Sequence, residues 1–577
     1  MSSSVTSTSS ASTTVTPIEP ALEVSCPDEL PWSDTADVVV VGWGCAGACA
    51  AIEARTQGAS VLVIDRFSGG GASALSGGVV YAGGGTRYQQ QAGFQDSPQA
   101  MQDYLQHEVQ GVVSDATLAR FTSQSVQNLE WLEQQGVRFD STMPAYKTSY
   151  PPDGAYLYYS GNEIVPAYAS AQHGHTPAPR GHRVVAKGQS GATLFDALRQ
   201  STLAHGARTL TQASVRRLVR DRATRRILGV EVCALPQDHP RTARHKQLDG
   251  LIAKWRLYQP AKAQQAREES ADIEQAIGQR RWIRASRAVI LTTGGYIFNP
   301  QMLQTHAPSY QHGLPIGGAG CDGSGIRLGQ SVGAAAQGLG NISGWRFITP
   351  PAVWPKGLVI NAQGQRFCNE QVYGATLGHA LVEKQAGKAW LIVDSQLRWQ
   401  AVRQCIFGKL WAFQALPALA LMLLRAIKAP SITALASKLQ IDPHVLQAQV
   451  EHANAAAYGE CDDPMGKSAD MRHALRQGPF FAIDISVSQS LMPLAMISLG
   501  GLRVQEDTGA VLNQQGLPIP CLFAAGRTAI GVASSRYVSG LSLADCIFSG
   551  RQAGRMAALS PLDVQTTRPS QAEMSTL

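Results

Sequence analysis

Charge is scarce in this sequence, and what there is lies scattered. Charged residues make up 16% of the 577 positions and aromatic residues 7%. The formal net charge of +7 is spread along the chain with no block of Lys and Arg interleaved with aromatics, so no nucleic-acid partner is expected. The ten cysteines include no Cys-x-x-Cys pair and no Cys/His cluster at zinc spacing, so no metal site is expected either. Free thiols in a chain of this length suit a reducing compartment, which makes a cytoplasmic location the expectation. Long apolar runs are also missing. The longest, LWAFQALPALALMLL at 410–424, is broken by Gln414 and Pro417. As a helix it would reach roughly 22 Å, short of a ~30 Å hydrocarbon core. Residues 1–33 are rich in Ser and Thr and lack the basic stretch and apolar core of an export signal. They read as a disordered tail, and 561–577 as a flexible one.

Glycine and apolar residues are abundant: 56 Gly and 44% hydrophobic positions suffice for a large core and more than one domain. DVVVVGWGCAGACAAIEARTQGASVLVIDR, starting at Asp37, reads as strand, glycine turn, helix of small residues, break at Gly58 and second strand ending at Asp65. G-x-G-x-x-G falls on Gly42, Gly44 and Gly47, where the strand gives way to the helix, which is the context of dinucleotide binding. Gly42 would make the tight turn, Gly44 would let a pyrophosphate approach the backbone, and Gly47 would let helix pack on sheet, with Ala46 beside them. Asp65 would accept from a ribose hydroxyl, next to Arg66. Cys45 and Cys49, four apart, read as small packing residues.

A second glycine-rich run, SGGGASALSGGVVYAGGG at 68–85, follows directly. A nicotinamide domain does not need it, whereas flavin enzymes lay such amides and serine hydroxyls along the pyrophosphate and the flavin ring. Ser73, Ser76, Gly77 and Gly78 are the candidates. Beyond it come a polar helical stretch (98–136), a Tyr- and Pro-crowded irregular layer (146–168), a helix (193–205) and strands at 214–219, 227–233 and 287–292. Val215 on the first of these strands and Gly294 after the last are further cofactor candidates. Between the second and third strands lies a charged insertion, 236–281, of surface helix. A second unit, 299–478, carries GQRFCNE, in which Arg366 and Glu370 stand four apart as a structural ion pair. The closing part, 479–560, holds a hairpin, a strand ending in CLFAAGR with Gly526, and RYVSGLSLADCIFSGRQAGR. There the first amides of a helix, near Gly540, Ser542 and Leu543, can face a carbonyl or a flavin oxygen.

DVVVVGWGCAG, SGGGASALSGG, TTGGYIFNP, GQRFCNE, SLGGLRV, CLFAAGR and YVSGLSLAD, in this order, make the chain from Asp37 to Arg555 resemble the flavoproteins that include soluble fumarate reductases and 3-ketosteroid dehydrogenases. The resemblance implies an α/β fold: a discontinuous Rossmann-like FAD-binding domain (34–298 and 479–560) with an inserted α+β catalytic domain (299–478). It implies FAD as cofactor, and noncovalent FAD, because covalent members need a His near the flavin ring and 68–85 has none. YVSGLSLADCIFSGRQAG looks most like the branch that desaturates C4–C5 of 5α-3-ketosteroids, whose Tyr-x-Ser-Gly pattern maps onto Tyr537, Ser539 and Gly540. The Gly-Pro-Gly turn of 1,2-desaturating relatives and the dicarboxylate clamp of fumarate reductases are absent. Arg527 stands where many relatives have an acidic residue.

On that reading the Gly540 amide holds the ketone oxygen as enolate charge develops, Tyr537 takes the C4 proton, Tyr373 relays it and Ser539 assists, while hydride leaves C5 for flavin N5. The alternatives are 3-ketosteroid 1,2-dehydrogenation, enoate reduction, or a flavin-binding hydratase or isomerase. No second nucleotide domain is visible, so an electron acceptor other than NAD(P) is expected. The run 410–424, with Lys409, Arg425 and Lys428 at its borders, suits peripheral attachment to the inner face of a membrane as well as it suits a core or dimer-interface helix.

Overall fold

The computed structural model describes residues 14–170 and 174–562. Its main layer is a nine-stranded sheet. Trp32–Val41, Val61–Ile64 and Arg208–Leu210 run parallel as the dinucleotide half, and Val38 to Val41 are buried on both faces, as their unbroken apolar run requires. The 13-residue strand Gln279–Leu291 joins the two halves of the sheet. Its first part pairs antiparallel with Ile227–Ala234, and its last part pairs parallel with Pro518–Ala524 from the far end of the chain.

Small residues set the helix layer. Cys45–Thr56 is packed with Ala, Gly and Cys, all buried up to Ala54, which confirms Cys45 and Cys49 as packing residues. This lets the closing helix, Leu541–Ala558, approach backbone to backbone. A Cβ on Gly550 or Gly554 would stand 2.5 and 2.2 Å from the carbonyl oxygens of Ala46 and Ala50. The sequence-first and sequence-last helices thus lie against each other over the sheet.

The second unit is built on a four-stranded antiparallel sheet of Leu358–Asn361, Ala389–Val393, Phe480–Asp484 and Ile427–Ala429. Phe480–Asp484 belongs to this sheet, and Ala495–Ser498 pairs with Ile342–Trp345. The inserted unit therefore runs past the boundary expected at 478, and the chain rejoins the main sheet at Ala510–Leu512.

Two other expectations change. Residues 14–33 are not a disordered tail: Leu22–Val24 adds a parallel strand beside Ala213–Asp221. The amide and hydroxyl of Thr16 both donate to Asp322 Oδ2 at 2.6 Å. Composition suggested disorder, but tertiary partners hold the segment. Residues 1–13, and 563–577 of the second tail, lie outside the described residues. The charged insertion is helical as expected, Pro240–Trp255 and Pro260–Ile277, except that 279–281 already belong to the long strand. Among the described residues no helix is long and apolar enough to cross a membrane.

Arg366 and Glu370 are a buried pair, 2.8 Å apart, extended by Asp463 at 2.9 Å from Arg366 and Lys467 at 2.9 Å from Glu370. The cluster ties the loop after Pro443–Tyr458 to the sheet, where Glu370 also accepts from Val359 N. The two cations keep the Glu370 carboxyl below the usual range in spite of its burial. Removing Glu370 leaves buried Lys467 without its carboxylate and Arg366 with Asp463 alone, so Glu370→Ala should cost about 3–5 kcal/mol in urea unfolding, far more than an exposed ion pair.

Candidate active site

One cavity of about 1020 Å³ runs between the two units. Its first end is made by the dinucleotide turn. Gly42 holds φ +104, and a Cβ there would meet the Thr292 carbonyl at 2.6 Å. The Asp65 carboxylate closes this turn by accepting from Trp43 N at 2.7 Å and Phe67 N at 2.8 Å. Burial pushes its carboxyl up, and these amides oppose the shift. The Gly69 amide adds a third bond, which leaves one lone pair of the carboxylate for a hydroxyl donor. Gly42, Gly44, Ala46, Asp65, Arg66, Ser73, Ser76, Gly77, Val215, Gly294, Ser542 and Leu543 all reach the cavity wall.

Gly47, Gly78 and Gly526 do not. A Cβ on Gly47 would lie 2.0 Å from the Gly42 carbonyl oxygen, and one on Gly78 2.5 Å from the Ser190 backbone. Gly526 donates its N–H to Ser549 Oγ and is wedged between Ala46 and Cys546. All three are fixed by close packing behind the wall. Arg66 lines the wall, but its guanidinium is spent on Glu274 at 2.7 Å and Asp322 at 3.1 Å.

The other end is aromatic and hydroxylic. Gly540 caps the closing helix at φ +91, in the left-handed region, where a Cβ would strike Tyr81 N at 2.7 Å. That tight cap presents Tyr537, Ser539 and Gly540 to the cavity. Tyr373 comes from the inserted unit, at the N-terminus of Gly374–Lys384, and its N–H donates to Asn162 Oδ1 at 2.6 Å. The Ser539 hydroxyl lies 3.2 Å from Tyr158 OH and shares the cavity wall with Tyr373 and Tyr537. Burial drives the pKa of Tyr373, Tyr158 and Tyr537 upward, and for Tyr537 the hydrogen bond from the Gly540 amide opposes the shift. Trp345 stands edge-on to Tyr537, ring centroids 4.9 Å apart, and Ile316, Phe347, Phe413, Leu416 and Ile497 complete an apolar wall.

Sequence reasoning missed Tyr158, Asn162 and Trp345. The Tyr-crowded stretch 146–168 was the available signal, but it was read as a lid without chemistry. The Arg527 side chain also faces the cavity.

FAD fits the residues present. Arg527 Nη1, Ser214 Oγ and Trp345 Nε1 are buried in the wall with no hydrogen-bond partner among the described residues, spaced from the dinucleotide turn to the tyrosines. A cation and polar hydrogens left open along one long cleft match a pyrophosphate and a flavin ring edged with acceptors. No cluster of three or more potential metal ligands occurs among the described residues.

Residues 37–543 match the family model described as an FAD binding domain, and the chain belongs to that family of flavoproteins. Within it, the chain is 58% identical over 522 residues to a 3-oxo-5-alpha-steroid 4-dehydrogenase of Comamonas testosteroni, covering 89% of this chain and 96% of that one. A 3-oxosteroid 1-dehydrogenase of Mycobacterium tuberculosis is 24% identical, over 87% of this chain and 94% of the relative. Among solved structures, the 3-ketosteroid-delta4-(5alpha)-dehydrogenase of Rhodococcus jostii in complex with 4-androstene-3,17-dione superposes with a TM-score of 0.78 at 29% identity, over 94% of this chain and all of the other.

No histidine is found among the described residues lining the cavity. Acid precipitation of the purified protein should therefore release yellow flavin into the supernatant; colour kept in the washed pellet would indicate a covalent link.

Proposed function

We infer that the chain is an FAD-dependent dehydrogenase that introduces the C4–C5 double bond into a 5α-3-ketosteroid. The observation that carries this is the set of Tyr537, Ser539 and Tyr373 hydroxyls on the wall of one apolar cavity, in a chain 58% identical to a 3-oxo-5-alpha-steroid 4-dehydrogenase. The 1,2-dehydrogenase reading is less well supported, at 24% identity to its named relative.

FAD, when bound, supplies the acceptor for the hydride that leaves C5. The protein's own groups must make C4 acidic, and a carbon beside a ketone becomes so only while donors hold the carbonyl oxygen. We propose that the Tyr537 hydroxyl, held by the Gly540 amide, donates to that oxygen. A raised pKa suits this role, because the phenol stays a donor at neutral pH. We assign Tyr537 this donor role in place of the base role that the sequence suggested. The C4 proton passes to Ser539 Oγ as the serine proton moves to Tyr373 and the Tyr373 proton leaves to solvent, while the electron pair of the C4–H bond becomes the C4–C5 double bond as hydride departs from C5. Each hydroxyl hands on its own proton as it takes one, so no buried group is left charged. The apolar wall of Trp345, Phe347 and Ile497 excludes water and seats the steroid rings. Reoxidation of the flavin falls to an acceptor other than NAD(P).

Anaerobic addition of a 5α-3-ketosteroid should bleach the flavin and yield the 4-ene-3-one. Tyr537→Phe and Ser539→Ala should each slow bleaching by about 10²–10³ with FAD content unchanged. Near-normal bleaching by Ser539→Ala would return the base to Tyr537; a product desaturated at C1–C2 would sink the regiochemistry.

We further propose that the enzyme docks peripherally on an anionic membrane. The run 410–424 becomes the helix Ala412–Ala420 and a wider turn, Leu421–Arg425, with Ala415, Ala418, Leu421 and Met422 buried and Leu416, Leu423 and Leu424 exposed. The neighbouring helix Ser395–Phe407 adds exposed Trp399, Ile406 and Phe407, so that Phe407 and Leu424 stand 77% and 80% exposed among Arg403, Lys409 and Arg425. Leu416 belongs both to this patch and to the cavity wall. Apolar side chains ringed by cations favour an anionic lipid surface, from which a steroid could enter directly. The protein should sediment with anionic vesicles at low salt, and Phe407→Glu with Leu424→Glu should leave it in the supernatant. Equal sedimentation of both proteins would end the proposal.

A further inference from the structure

The charged insertion takes no part in the reaction proposed above. Its helices, Pro240–Trp255 and Pro260–Ile277, pack against each other and are spliced between two strands that are already neighbours: Ala234 and Gln279 pair directly. A two-residue turn would serve that connection. The hairpin instead covers the end of the cavity at Asp65. Leu248, Ile252 and Ile273 pack with Phe67, and the His245 ring stacks on Phe67 with centroids 5.3 Å apart. Glu274 fastens it below, accepting from Arg66 Nε at 2.7 Å, Arg216 Nη2 at 3.2 Å and His245 Nε2 at 3.2 Å. Arg256 fastens it on the other side, donating to the Leu75 carbonyl oxygen in the flavin loop at 3.0 Å.

Between these fastenings Asp249, Gly250 and Ala253 face the cavity. Asp249 Oδ2 accepts a long hydrogen bond from Ser68 N, at 3.4 Å. Burial and the charge of Asp65 push its carboxyl up to about 6, against the pull of Ser68 and His245. A carboxylate held in this way is a cost to the flavin-free protein unless a ligand donates to it. The adenosine ribose of FAD carries two adjacent hydroxyls, and Asp65 already spends a lone pair of each oxygen on the turn amides.

We propose that the hairpin is a cover for the adenosine half of FAD, with Asp249 as a second carboxylate that accepts from a ribose hydroxyl and Arg256 as the latch. The inference rests on FAD binding and not on the steroid reading. Its test is flavin release from the holoenzyme, followed by recovery of flavin fluorescence after dilution. Asp249→Asn should release FAD about tenfold faster, as a charge-assisted hydrogen bond is weakened, and Arg256→Gln should also speed release. The flavin-free Asp249→Asn protein should melt at the wild-type temperature or above it, a split that a merely structural role would not produce. Joining Ala234 to Gln279 by Asn-Gly should abolish slow release; if that variant does not fold, Asp249→Asn decides alone. Release within twofold of wild type, or loss of stability in the flavin-free Asp249→Asn protein, would overturn the proposal.

Discussion

The contact on which this molecule depends is the one between the helix after the dinucleotide turn and the helix that closes the chain. Gly550 and Gly554 let the closing helix rest on the carbonyl oxygens of Ala46 and Ala50. The first helix accepts this because its own buried positions are Ala, Gly and Cys. That contact fixes where the closing helix begins, and the turn that leads into it carries Tyr537, Ser539 and Gly540. The dinucleotide turn and the reactive hydroxyls are therefore placed by one packing event. A larger residue at Gly550 or Gly554 would displace both together, since interiors packed at this density transmit strain rather than absorb it.

The cavity has two electrostatic characters. Its dinucleotide end carries ionic groups: Arg66 paired with Glu274 and Asp322, Asp65 and Asp249 held by backbone amides, and Arg527 with Nη1 open. The aromatic end works with neutral hydroxyls whose ionisation is suppressed by burial. Such an end suits a reaction whose acidity comes from the ketone rather than from a strong base, because a neutral chain of hydroxyls can pass a proton without leaving a desolvated charge. Asn162 belongs to the same arrangement. It accepts from Tyr373 N and donates to Glu108 Oε1 at 2.8 Å, so the catalytic unit is buckled to the cofactor unit beside the tyrosines.

Much of this was legible in the sequence. The glycine turn, the second glycine loop and the Tyr-x-Ser-Gly cap each combine a backbone demand with a local pattern, and local patterns survive without tertiary information. Gly47, part of the cofactor fingerprint, lets helix pack on sheet as its position implies and stops short of the cavity wall. What failed depended on partners remote in the chain. Thr16 looked disordered by composition because Asp322, which holds it, lies 306 residues away. Arg66 looked like a cofactor contact because Glu274, which consumes its guanidinium, sits on the insertion. Gly78 and Gly526 were chosen as glycines near a flavin loop, yet the atoms they must avoid belong to Ser190, Ala46 and Cys546. Tyr158 was hidden in a segment with no period, and its role appears only when the final turn brings Ser539 beside it.

The meeting of the two ends also sets an order of events during synthesis. The first strands and the glycine turn emerge early, but the strand Pro518–Ala524 and the helix Leu541–Ala558 that complete the cofactor wall follow only after the whole inserted unit. A nascent chain can form its early βαβ unit, yet it lacks the residues that close the cleft until residue 558 has been made. Cofactor capture thereby reports that synthesis has passed this point: a polypeptide truncated before residue 541 keeps the dinucleotide fingerprint but is left without its retaining wall, open to proteolysis as an unliganded fragment.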